Sequence, residues 1–169
     1  MDVAPPNMHA AIKKCPELKL RKVMDLMRDR LRYPSDMNAH PYFFVDPDLL
    51  DSGIEMVNKA FNKNLSQTDK VALTTTLTER LSKINSVSFN SGTVNKAVSV
   101  ILYEMSKEAK WVKNEDVFRV LRLAATGSAS VCNVPIGDIC EILGKEVIIK
   151  RLGNVKEMLS DDIKVLGIA

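Results

Sequence analysis

Hydrophobic residues recur at three- and four-residue steps through most of the chain, the spacing that gathers side chains onto one face of an α-helix. From Leu18 the residues Leu20, Val23, Met24, Met27 and Leu31 keep this step, and Pro34 closes it. A first amphipathic helix is therefore predicted, with Arg21, Arg28 and Arg32 along its exposed face. Pro47 suits the first turn of a second helix, carried by Leu50, Ile54, Val57 and Phe61. Ser66 with Asp69 three residues on forms a capping pair for a third, running through Leu73, Leu77, Leu81 and Ile84. Beyond the polar stretch NSVSFNSGT, the residues Val94, Val98, Ile101, Leu102 and Met105 mark a fourth. Asn114 is placed to cap a fifth, with Val117, Leu121 and Ala124 on its apolar side and Gly127 to end it. The closing stretch DICEILGKEVIIKRL predicts two short helices, the first ending at Gly144 and the second at Gly153.

No stretch alternates as a half-buried strand does, and no Asn-Gly or Asp-Gly hairpin signal occurs. The fold class is all-α, a helical bundle of one or two compact units. There is no fixed-period repeat, long heptad run or low-complexity segment. Met24 and Met27 lie on the apolar stripe of their helix and are assigned to core packing. Tyr42, Phe43, Phe44 and Trp111 are capable of stacking on nucleobases, but aromatic residues beside helix starts are more often packed.

Composition adds limits. Across 169 residues, 46% hydrophobic and 27% charged is the ordinary mix of a globular chain. No apolar run approaches the roughly 20 residues of a membrane span. The opening MDVAPPNMHAAI lacks the charged start and apolar centre of a secretory signal. Three cysteines, Cys15, Cys132 and Cys140, are too few and odd in number for a disulfide framework, which points to reduced thiols. The formal charge of +3 permits a polyanionic partner without requiring one. Basic residues concentrate over 19–32, at Arg119 and Arg122, and over 145–151, and a basic helical face is as often simply solvated as it is a nucleic-acid site.

Catalytic patterns are missing. The chain has no GxxxxGK[ST] loop, no GxGxxG, no HExxH and no CxxC. His9 and His40 have no partner at ligand spacing and are assigned to solvent or hydrogen bonding. Cys132 and Cys140 read as tolerated or buried thiols, and Asp25 and Asp29 as helix-surface ion-pair partners of neighbouring arginines. An enzyme in its own right is poorly supported without an acid–base pair, a nucleophile or a metal set.

The run VFRVLRLAATGSASVCNVPIGDICEILGKEVIIKRL, residues 117–152, resembles the C-terminal signature of bacterial-type glutamyl-tRNA synthetases. That signature is an F-x-x-L-R-x-A-x-T-G block, a loop, a leucine-rich helix, G-K-E and a closing R-L. Phe118, Leu121, Arg122, Ala124, Thr126, Gly127, Leu143, Gly144, Lys145, Glu146, Arg151 and Leu152 fall in the pattern. LMRDRL followed by HPYFFVDPDL resembles the family's first anticodon-side helix and its aromatic exit, whereas residues 51–113 carry no distinctive words.

The resemblance implies an α-helical cage of two packed helical subdomains, a small connecting one over 1–45 and a larger anticodon-binding one over 46–169, that grips the anticodon loop of glutamate tRNA behind a catalytic half this chain does not contain. Neither a HIGH-like motif nor a KMSKS-like loop is present. No cofactor is expected here; ATP and magnesium belong to that absent half, the other partner. Neither DNA nor a membrane is implied, and the setting is intracellular, a bacterial cytoplasm or a mitochondrial matrix. Arg122 matches the arginine that approaches the anticodon bases, and Asn133, Val134, Pro135 and Ile136 match the loop that lines their pockets, a loop somewhat longer here than is typical. Arg30 matches the reader of the third anticodon base, where an arginine favours the cytosine of glutamate tRNA. Lys145 and Arg151 are candidates for the sugar-phosphate chain, set against a hinge cap and an internal pair. A rival of another class is a protein-binding helical adaptor descended from such a domain.

Overall fold

A computed structural model describes residues 7–47, 65–107, 112–128 and 133–165. Every regular element among them is helical, and no strand occurs. The chain divides into two compact units, Met1–Pro47 and Asp48–Ala169. The second predicted helix (Leu50 to Phe61), Trp111 and Cys132 lie outside the described residues.

The first unit holds α1 (Met8–Lys14), α2 (Glu17–Met27) and two 3₁₀ turns, Pro34–Ala39 and Pro41–Phe43. The sequence pattern did not show α1, because a two-turn helix with one fully buried side chain, Met8, carries no stripe to detect. Conversely, α2 stops at Met27, short of the predicted end near Pro34. The reason is local. The Asp36 carboxylate accepts the backbone N–H groups of Arg32 at 2.8 Å and Tyr33 at 3.0 Å, drawing them away from a continued helix. Those two bonds, Tyr33 first, hold the Asp36 carboxyl below its usual range, with the Arg32 and His40 charges adding to the effect. Val23 and Met27 are buried as predicted, but Met24 is 49% exposed, so the core assignment holds for Met27 and fails for Met24. The buried face of α2 follows Val23 and Met27, an i,i+4 pair, and Met24 lies outside it. Tyr42 and Phe43 are buried with ring centroids 4.6 Å apart, and His40 Nδ1 lies 3.0 Å from the Tyr42 hydroxyl. These residues are packed, as the sequence reading favoured.

The second unit contains α3 (Gln67–Ser82), α4 (Ser91–Lys107), α5 (Asn114–Thr126), α6 (Ile136–Leu143) and α7 (Lys145–Val165). Ser66 and Asp69 cap α3 reciprocally: the Asp69 N–H donates to Ser66 Oγ at 3.1 Å and the Ser66 N–H to Asp69 Oδ2 at 3.2 Å. Leu73, Leu77 and Leu81 of α3 are fully buried, as are Val94, Val98 and Ile101 of α4. Asn114 is the first residue of α5 rather than its cap; the Asp116 carboxylate, 1% exposed, accepts the Lys113 N–H at 2.9 Å instead. Gly127 ends α5 at φ 76°, the left-handed conformation that glycine adopts without steric cost.

The predicted break at Gly153 does not occur. Helix α7 runs straight through it, because Ile148, Leu152, Val155 and Leu159 continue one buried stripe along α3 and α5. Each such side chain gains roughly 1.5–3 kcal/mol on burial, which outweighs the penalty of about 1 kcal/mol for an internal glycine. Helix α6 packs against α4, α5 and α7.

Candidate nucleic-acid interface

Helix α5 buries Val120, Leu121, Leu123, Ala124 and Ala125, and Arg122 lies on the margin of that face. Its side chain is half-buried, and Nη1 donates to the Val134 carbonyl at 3.3 Å. One guanidinium thereby ties α5 to the loop before α6. The end of α5 is set by the Thr-Gly pair: the Thr126 hydroxyl lies 2.9 Å from the Arg122 carbonyl and 3.0 Å from that of Ser128. Thr126 therefore binds the last turn to the first residue of the loop.

Where the chain is described again, side chains alternate. Asn133 and Pro135 are exposed, whereas Val134 and Ile136 are buried. Two of the four loop residues thus anchor the loop and two are presented outward. Pro135, with φ −59°, stands at the N-cap of α6. Helix α6 is clamped to α4, for the Ser91 N–H donates to Glu141 Oε2 at 3.0 Å. A Cβ on Gly137 would collide with Ser91 Oγ, so only glycine permits this approach without rearrangement. Sequence reasoning missed that packing; its signal was a glycine inside a strongly apolar helix.

Gly144, at φ 82° and ψ 160°, ends α6 as predicted, and α7 starts at the next residue. The two basic residues beyond it face inward. Lys145 Nζ donates to the Ile84 carbonyl at 2.7 Å, satisfying an acceptor just past the C-terminus of α3. Arg151 is 3% exposed and its Nη1 donates to the Ala125 carbonyl at 2.5 Å, near the end of α5. Both cations thus bond to a backbone carbonyl of another segment of the same unit.

Cys140 is buried beneath these arginines. Burial pushes its thiol up to about 12, against the opposing pull of the Arg122 and Arg151 charges. At neutral pH it is a small apolar side chain, not a nucleophile. Among the described residues no group of His, Cys, Asp or Glu side chains could hold a metal ion.

Arg30 belongs to the first unit. It follows the end of α2 in a turn, with its backbone N–H donating to the Met27 carbonyl at 2.9 Å and its guanidinium donating to the Leu26 carbonyl. The side chain is exposed. The structure therefore brings Arg122 together with Val134, bonds Lys145 and Arg151 to the Ile84 and Ala125 carbonyls, and has Arg30 in the first unit. No helix among the described residues is long and apolar enough to cross a membrane.

Comparison with known proteins bears on this geometry. A family model described as "Anticodon binding domain" matches residues 6–156. A glutamate–tRNA ligase of Acholeplasma laidlawii is 25% identical over 154 residues, covering 88% of this chain and 30% of that protein. The crystal structure of a glutamate–tRNA ligase from Elizabethkingia meningosepticum superposes with a TM-score of 0.68 at 22% identity, over 91% of this chain and 28% of that one. A glutamate–tRNA synthetase from Elizabethkingia anophelis gives a TM-score of 0.59 at 21% identity, over 90% and 27%. These two likenesses establish the fold. The chain spans about 30% or less of the length of each of these relatives.

Proposed function

The chain belongs to the anticodon-binding domain family, and from that premise we propose that it is the part of a glutamate–tRNA ligase that holds the anticodon loop of glutamate tRNA. The observation that carries this reading is the Arg122 guanidinium, half-buried on α5 and donating to Val134, beside a loop that turns Asn133 and Pro135 outward. Unstacked bases present their Watson–Crick edges, and a guanidinium fork or loop backbone groups meet such edges well. The anchoring of Val134 and Ile136 holds that loop without borrowing order from the RNA.

Arg30, exposed at the end of α2, reads the third anticodon base and favours cytosine there. Activation of glutamate, with its ATP and magnesium, falls to the catalytic half of the parent enzyme, in a bacterial cytoplasm or a mitochondrial matrix.

Arg122→Ala tests the assignment. Binding to a glutamate tRNA transcript should weaken by about 1–3 kcal/mol, and binding to a transcript with an altered anticodon much less. Filter binding on the two transcripts decides it: equal losses would make Arg122 a phosphate contact and remove base reading from this site.

A further inference from the structure

The second unit carries an open cleft of about 290 Å³ between α3 and α4, away from the loop just described. Ile84, Ala97 and Val100 line it beside Thr93 and the basic residues Arg80, Lys83 and Lys96. Arg80 is occupied by Glu104. The ammonium groups of Lys83 and Lys96 are both exposed and make no ion pair among the described residues. Two exposed cations thus line one open cleft, Lys83 at the end of α3 and Lys96 on α4.

The cleft and the candidate loop share one framework. Lys145, at the start of α7, holds the Ile84 carbonyl on the α3 wall. On the α4 wall, Ser91 is bonded to Glu141 of α6, and Asn95, the neighbour of Lys96, packs against Gly137 at the start of α6. The exposed ammonium groups of Lys83 and Lys96 and the loop residues 133–136 thus belong to helices tied to one another by these contacts.

We propose that this cleft is a second contact for the same tRNA, one that takes the phosphodiester backbone flanking the anticodon loop. Lys83 and Lys96 hold phosphate oxygens from the two walls, and a ribose packs on Ile84, Ala97 and Val100. Phosphate contacts position the RNA without reading its sequence. The proposal rests on the tRNA-binding function above and assigns the cleft a role separate from base reading.

The test is the double variant Lys83→Ala/Lys96→Ala, compared with Lys13→Ala/Lys14→Ala, which removes the same charge from α1. Binding is measured on the glutamate transcript and on its anticodon-altered form over a salt series. The cleft variant should lose on the order of tenfold in affinity on both transcripts at low salt, and its slope of log affinity against log salt should become shallower by about 1–2. Lys83→Arg/Lys96→Arg should restore both, and the α1 variant should change neither as much. Wild-type affinity and slope in the cleft variant, or an equal loss in the α1 variant, would overturn the cleft as a phosphate site while leaving tRNA binding intact. Failure of the unaltered chain to bind either transcript would overturn the functional reading itself, and the cleft with it.

Discussion

Arg122 and Arg151 belong to one sequence signature, but their surroundings divide their work. Arg122 is half-buried and reaches a loop carbonyl. Arg151 is enclosed, and its guanidinium supplies a donor to the Ala125 carbonyl near the end of α5. Removing that donor strands a buried acceptor, which costs about 1–3 kcal/mol. Arg151→Met should accordingly lower stability by that amount in urea unfolding and leave the preference between the two transcripts unchanged. An Arg151→Met protein of native stability that had lost its transcript preference would reverse the two roles. A basic residue near a hinge reads the same in sequence whether it faces solvent or a carbonyl, because only the path of the neighbouring helix decides which acceptor it meets.

At the scale of elements, the two glycines flanking the first half of α7 make opposite predictions. Gly144 sits at φ 82° and ψ 160°, a region that side chains avoid, and Gly144→Ala should destabilise the protein by about 1–3 kcal/mol. Gly153 is inside a helix, with open space for 4 Å around the position a methyl group would take, and Gly153→Ala should stabilise it by about 0.5–1 kcal/mol. Thermal or chemical unfolding of the two variants checks both signs, and a stabilising Gly144→Ala would refute the hinge. Sequence pattern treated these glycines alike, as helix ends. The difference lies in the stripe of Val155 and Leu159 beyond Gly153, which finds α3 and α5 to pack on. Caps followed the same division. Ser66 and Asp69 were legible because both partners lie within three residues, whereas Asp116 displaced Asn114 through competition between two acceptors close to the same helix start.

For the whole molecule, the quantity that separates an RNA-binding unit from a protein-binding adaptor is the response to salt. A net charge of +3 is too small to bind RNA by bulk attraction, so affinity must come from placed cations. Counterion release from several phosphate contacts should cost about 10²- to 10⁴-fold in tRNA affinity between 50 and 200 mM salt. A mostly apolar protein interface would change little over that range. Titration of the glutamate transcript across it distinguishes the two, and a flat response would favour the adaptor.

By itself the sequence determined the helical class, the borders at Ser66, Gly127 and Gly144, and the candidacy of Arg122 with residues 133–136. Each of these follows from interactions reaching no more than one or two helical turns, or from a signature contiguous in the chain. Tertiary structure alone decided that α7 continues past Gly153, that Lys145 and Arg151 are tied to carbonyls of other segments, and that Lys83 and Lys96 frame a common cleft. Those outcomes depend on partners well beyond one or two helical turns along the chain, and a local pattern cannot specify which distant group will satisfy a side chain once the helices have packed.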